Sequence, residues 1–284
     1  MTEDIQRKVL SNNIEIAYTD TGEKNKSTIL FIHGLANYHA VWHWNISTLQ
    51  QHVRCIAIDL PGNGFSSRDQ KIQYTIDFYV DTVIDFIKEM KLTHVSLAGH
   101  SMGGLIAMKI ALNKDITIEK LILCAPAGFE YYTPHESMLF KSAITMGNFL
   151  NLDEAQVAQS VRSSFFKQQA ITEKIIQELT EIIQQNDRTQ YRSMLEQSIH
   201  SMLDDGIFKK LKKIQQETLV FFGENDMLIP NRFLHPVSTK DIAVKATKEI
   251  PHATLKTYAS TGHFVQIERA LEVNKSIIAF VEKT

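Results

Sequence analysis

Three residues far apart in the chain have the types that acyl transfer needs: Ser101, Asp226 and His263. A serine hydroxyl is a weak nucleophile and requires a base, and the imidazole base requires a carboxylate to orient it. Ser101 lies in Gly99-His100-Ser101-Met102-Gly103-Gly104, between the apolar stretch HVSLA and the segment LIAMKIALNK, whose apolar residues recur at three and four. That pattern predicts a strand, an abrupt turn and a helix. The apex of such a turn is forced toward positive φ, and the close passage of strand and helix leaves no room for Cβ atoms two residues to either side. Gly99 and Gly103 stand at those two positions. The arrangement lifts Ser101 above the carboxyl end of a sheet and turns the N–H groups of the first helical turn toward an anion. A Ser/Gly linker would not carry apolar periodicity on both flanks.

The acid and the base follow in chain order. Asp226 ends the run LVFFGEND, and the carboxyl end of a strand is where a parallel sheet presents functional groups. His263 follows TLKTYAS in STGHFVQIE, a glycine-preceded loop leading into the last helical pattern. Glu224 is the rival acid, two residues earlier, and His252 in IPHATL is the rival base, placed before its strand and so at the wrong end. An oxyanion needs two preorganised donors. The backbone N–H of Met102, just after the nucleophile, is one; that of Leu35, after His33-Gly34, is the other. The turn DLPGNGFSS (59–67) is expected to shape the floor of the site without catalysing.

These residues require a sheet to hold them. Strand patterns fall at 13–22, 27–34, 53–62, 94–99, 119–126, 217–226 and 254–260. Helical patterns lie between them, the clearest being YTIDFYVDTVIDFIKEMK, and ALEVNKSIIAFVEK closes the chain. Strands apolar on both faces, alternating with helices, imply a mostly parallel, doubly wound α/β sheet. The span Asn148–Asp205 breaks the rhythm, with no glycine or proline and many helix formers. The chain therefore divides into an α/β core over 1–128 and 211–284 and an inserted helical cap over 129–210.

Composition removes several classes of function. A net charge of −2 gives no basic footprint for nucleic acid, and Lys209, Lys210, Lys212 and Lys213 form only a short solvated run. No apolar segment approaches membrane-spanning length, and the polar start MTEDIQRKVLSNN does not read as a signal peptide. Cys55 and Cys124 sit in apolar runs and read as buried hydrophobes in a reducing, cytoplasmic setting. His33, His39 and His43 do not have the spacing of a metal site. No metal or cofactor is called for; the expected partner is a small-molecule substrate, and the residues leave a homodimer open.

Taken as a set, HG after a strand, D-x-P-G-x-G-x-S, G-H-S-M-G-G, G-x-x-D-x-x-x-P and a late G-H-F resemble the α/β-hydrolase superfamily over about residues 10–128 and 214–284. The resemblance implies Ser101 as nucleophile, Asp226 as acid, His263 as base, Leu35 and Met102 as oxyanion donors, and a helical cap at the insertion. Ser101 disfavours the branches that use an aspartate nucleophile. HGLANY replaces the HGGPG typical of proline iminopeptidases. The meta-cleavage C–C hydrolases share the cap size and the S-M-G-G turn, but usually carry asparagine where His100 stands and a different loop at Leu35-Ala36-Asn37. The reading is a serine hydrolase acting through an acyl-enzyme on a small, largely apolar ester. A C–C hydrolase or cofactor-free perhydrolase is the alternative on the same triad, and a slow-turnover small-ligand receptor the alternative of another class. His100, Met146, Phe149 and Phe166 are the expected pocket residues, although apolar side chains more often serve packing between helices.

Overall fold

The computed structural model describes residues 4–22, 27–146, 152–185 and 187–283. Among these, eight strands form one sheet: β1 (Gln6–Val9), β2 (Glu15–Asp20), β3 (Thr28–Ile32), β4 (Arg54–Ile58), β5 (Val95–His100), β6 (Lys120–Cys124), β7 (Glu217–Gly223) and β8 (Ala253–Tyr258). Their spatial order is β1-β2-β4-β3-β5-β6-β7-β8. The pairs β1–β2 and β2–β4 are antiparallel, and every later pair is parallel. The centre of the sheet lies at β3 and β5, which are buried at every position. Such strands read as continuous apolar runs because helices cover both faces. At the edge, β8 alternates instead.

The covering helices are α1 (His43–Leu49), α2 (Ile76–Glu89), α3 (Met102–Ala111), α8 (Thr239–Lys248), α9 (Val265–Glu268) and α10 (Ala270–Val281). Ile76, Tyr79, Val80, Val83, Ile84 and Ile87 bury one stripe of α2, at the spacing a core-facing helix requires. The Thr75 side chain caps that helix by accepting from the Phe78 N–H at 3.1 Å. Cys55 and Cys124 are both free and buried. No helix among the described residues is long and apolar enough to cross a membrane.

Four helices are inserted between β6 and β7: α4 (Pro134–Met146), α5 (Glu154–Ser164), α6 (Ala170–Gln184) and α7 (Arg188–Asp204). One link from this group to the core runs through α7, where Ser201 Oγ accepts from the Ile76 N–H at 2.8 Å and Gln197 Oε1 from the Tyr74 N–H at 2.9 Å. Ser198 meets the buried Tyr79 hydroxyl at 3.1 Å. These bonds satisfy main-chain groups at the start of α2 that its own turns cannot.

Candidate active site

Ser101 stands between β5 and α3 with φ 52° and ψ −117°. Conformations of that kind cost on the order of 1–3 kcal/mol in a non-glycine residue and persist only where the surroundings over-determine them. Main-chain hydrogen bonds do so: the Ser101 N–H donates to Cys124 O at 3.0 Å, and its carbonyl accepts from Gly104 and Ala127, each at 2.9 Å, and from Leu105 at 3.3 Å. The sequence's glycines are sterically required. A Cβ on Gly99 would lie 2.3 Å from Gly103 O, and one on Gly103 would lie 2.2 Å from Ile32 O. The turn therefore holds its shape through backbone contacts.

Asp226 and His263 come together although 37 residues separate them. His263 Nδ1 lies 2.7 Å from Asp226 Oδ2, with Asp226 0% and His263 3% exposed. The other carboxylate oxygen of Asp226 accepts from the N–H groups of Leu228 (2.8 Å) and Ile229 (3.1 Å), so the carboxylate is fixed from two sides. Main-chain bonds lace the two loops together, from Glu224 N–H to Tyr258 O and from Asn225 N–H to Thr261 O, both at 2.9 Å. Glu224 points elsewhere: Oε1 accepts from Thr257 at 2.7 Å and pairs with Lys240 at 3.0 Å. His252 is exposed at the start of β8. Among the described residues no hydrogen bond joins the Ser101 hydroxyl to His263. The residue before the serine, His100, has its ring 4.7 Å from that of His263. Looser contacts of this sort are ordinary for a site without substrate.

The loop after β3 closes against the serine. A Cβ on Gly34 would lie 3.1 Å from Ser101 Cβ. Neither the Leu35 N–H nor the Met102 N–H donates to an acceptor among the described residues. The loop is braced from beneath. Fully buried His33 donates from Nδ1 to Gly34 O at 2.7 Å and accepts the Leu60 N–H on Nε2 at 2.9 Å, which fixes its neutral tautomer. Burial also lowers its pKa. Asp59 accepts from the His39 N–H (2.7 Å), from His39 Nδ1 (2.9 Å) and from the Phe65 N–H (2.8 Å). Burial works against the Asp59 carboxylate, yet the His39 ring and these donors hold its pKa below the ordinary range. His39 is thus a brace for the turn, and no group of His, Cys, Asp or Glu among the described residues is arranged to hold a metal ion.

The inserted helices reach the site at two places. The Ser164 carbonyl at the end of α5 accepts the His263 N–H at 2.7 Å. Glu268 on α9 spans the same junction, with Oε1 on the Gly262 N–H (2.7 Å) and Oε2 on the Phe166 N–H (3.0 Å). Burial raises the Glu268 pKa against those donors. On the opposite side, Tyr38 donates its hydroxyl to Glu178 of α6. The sequence reading missed Glu268 and left Asp59 without a role, although Asp59 opens the quoted D-x-P-G turn.

The expected pocket residues fall in different environments. His100 is 1% exposed and its Nε2 is engaged with the His263 carbonyl. Met146, at the last turn of α4, is 79% exposed because the helix buries only Ser137 and Ile144. Phe166 is 49% exposed; its neighbour Phe165 is the buried one, stacked 4.7 Å from Phe264. Phe149 lies outside the described residues.

This geometry agrees with the comparisons with known proteins. Residues 27–270 match the family described as alpha/beta hydrolase fold, and the chain belongs to that family. The monoacylglycerol lipase ABHD6 of Homo sapiens is 22% identical over 285 residues, 97% of this chain and 81% of that protein. The 2-hydroxy-6-oxo-2,4-heptadienoate hydrolase of Pseudomonas putida is 24% identical over 280 residues, 94% of this chain and 92% of that one. Among solved structures, the esterase EaEST of Exiguobacterium antarcticum superposes with a TM-score of 0.79 at 19% identity, covering 98% of this chain and 99% of that one.

Proposed function

We propose that this chain is a serine hydrolase that cleaves a small, largely apolar carboxylic ester through an acyl-enzyme. The observation that carries the reading is the buried His263–Asp226 pair at 2.7 Å, whose imidazole lies 4.7 Å from the ring of His100, the residue before a serine held at φ 52°. Asp226 binds Nδ1–H and leaves Nε2 as the base. Nε2 takes the Ser101 proton as Oγ attacks the ester carbonyl, and the developing oxyanion accepts from the Leu35 and Met102 N–H groups, which have no competing acceptor among the described residues. His263 then protonates the departing alcohol. Water, activated by the same imidazole, releases the acid and frees Ser101.

Residues 129–210 act in this reading as a cap that excludes water and sets substrate range. The core is 1–128 with 211–284. Support comes from the contacts of Ser164, Phe166 and Glu178 with the loops carrying His263 and Leu35. A C–C bond hydrolase on the same three residues is the second reading, favoured by the Pseudomonas putida relative. His100 and Leu35 depart from that branch's usual residues and favour the ester.

A panel of p-nitrophenyl esters of increasing acyl length, run beside a vinylogous 1,5-diketone, decides between the two. Turnover of short and medium esters with an inert diketone supports the ester reading. Faster turnover of the diketone overturns it.

A further inference from the structure

His100 precedes Ser101, and its side chain reaches the base. Its Nε2 lies 3.1 Å from the carbonyl oxygen of His263. A carbonyl only accepts, so Nε2 carries the proton and Nδ1 is the bare nitrogen. That Nδ1 is buried with no hydrogen-bond partner. It faces Gly34, where a Cβ would lie only 3.0 Å away. The ring also sits 4.7 Å from the His263 ring and 4.8 Å from Phe264, which in turn stacks on Phe165. A buried lone pair without a donor lowers stability. An aliphatic residue would avoid that cost, so packing alone does not account for an imidazole at this position.

We propose that His100 is a positioning residue for the base: its Nε2–H anchors the His263 main chain over the nucleophile turn, and its bare Nδ1 keeps the ring uncharged beside His263. The inference rests on the serine-hydrolase reading. In that reading His263 becomes a cation while the oxyanion forms, and a second cation 4.7 Å away would oppose that step. Burial and the nearness of His263 both push the His100 imidazole well below its ordinary pKa range. The Gly34 side of the ring offers no acceptor for a second N–H. Neutrality and tautomer are therefore set by the same contacts that place the donor.

Two measurements test the proposal. In the unaltered protein, nitrogen NMR of the imidazoles should find His100 as the Nε2–H tautomer throughout about pH 5–8. Detection of the Nδ1–H tautomer or of an imidazolium overturns the proposal without any variant. Among variants, His100→Gln carries an amide nitrogen as many bonds from Cα as Nε2, whereas His100→Leu carries none. His100→Leu should lower kcat on the order of 10²-fold with KM little changed, as for a base displaced by about 1 Å. His100→Gln should restore most of that loss. A rise in KM with kcat intact would make His100 a substrate contact. Native kcat in a folded His100→Leu, or no rescue by Gln, would leave only packing. The NMR readouts need no turnover, so failure of the serine-hydrolase reading, seen as full activity in Ser101→Ala, remains separate.

Discussion

The Ser101 turn and the Asp226–His263 arm are built by different means. Around Ser101 the shape comes from backbone: four main-chain hydrogen bonds and two glycines at which a Cβ would lie 2.2–2.3 Å from a carbonyl oxygen. Around His263 it comes from segments far away in sequence. Asp226 holds the ring, Ser164 holds its N–H, Glu268 holds the loop and His100 holds its carbonyl. The first kind of site is held by main-chain groups of the turn itself and of the neighbouring strands β3 and β6. The second depends on the docking of α5 and α9, so changes outside the catalytic residues should reach the chemistry through the base and not through the nucleophile.

The largest effect expected from breaking the acid–base arm is at its centre. Asp226→Asn should lower kcat by about 10⁴, since an amide favours the wrong imidazole tautomer. Glu224→Gln should leave kcat near the wild-type value, because that carboxylate is committed to Thr257 and Lys240. Steady-state kinetics on the best p-nitrophenyl ester distinguishes them; the reverse order would move the acid to Glu224.

A smaller loss is expected on the oxyanion side. Leu35→Pro removes one N–H donor and should reduce kcat on the order of 10²–10³-fold, while Leu35→Ala should keep most of it. Melting temperatures establish that both variants are folded. A folded proline variant with normal kcat places the second donor elsewhere.

The smallest effect sharpens the contrast most. Glu268→Gln turns an NH₂ toward one of two N–H groups that now meet carboxylate oxygens. A loss on the order of tenfold in kcat is expected, the scale of one charged hydrogen bond of about 1.5 kcal/mol. Fluorophosphonate labelling should slow in step. An unchanged labelling rate would show that the α5–α9 junction does not reach the base.

The same division explains what could be read from the chain. The elbow was legible because its requirements are local: strand pattern, glycines at fixed offsets, helix pattern. Asp226 and His263 were legible from their positions after strands, and the inserted helices from a long span without glycine or proline. Glu268, Tyr38 and Ser164 were not, because each works by meeting a group about 100 residues or more away. Strand β1 escaped for another reason. Its QRKV lies at an edge, mostly exposed, and carries no apolar alternation. The contact of His100 with the His263 carbonyl was not legible, because a strand pattern gives a side chain's face and not the carbonyl its ring will meet.

The most direct test of the account is intact-mass and peptide mapping of the protein after reaction with a fluorophosphonate, beside Ser101→Ala treated the same way. The account predicts one adduct, on the peptide containing Ser101, complete loss of ester hydrolysis in step with labelling, and neither labelling nor hydrolysis in the alanine variant. An adduct on another serine, or ester hydrolysis persisting in a folded Ser101→Ala, would contradict it.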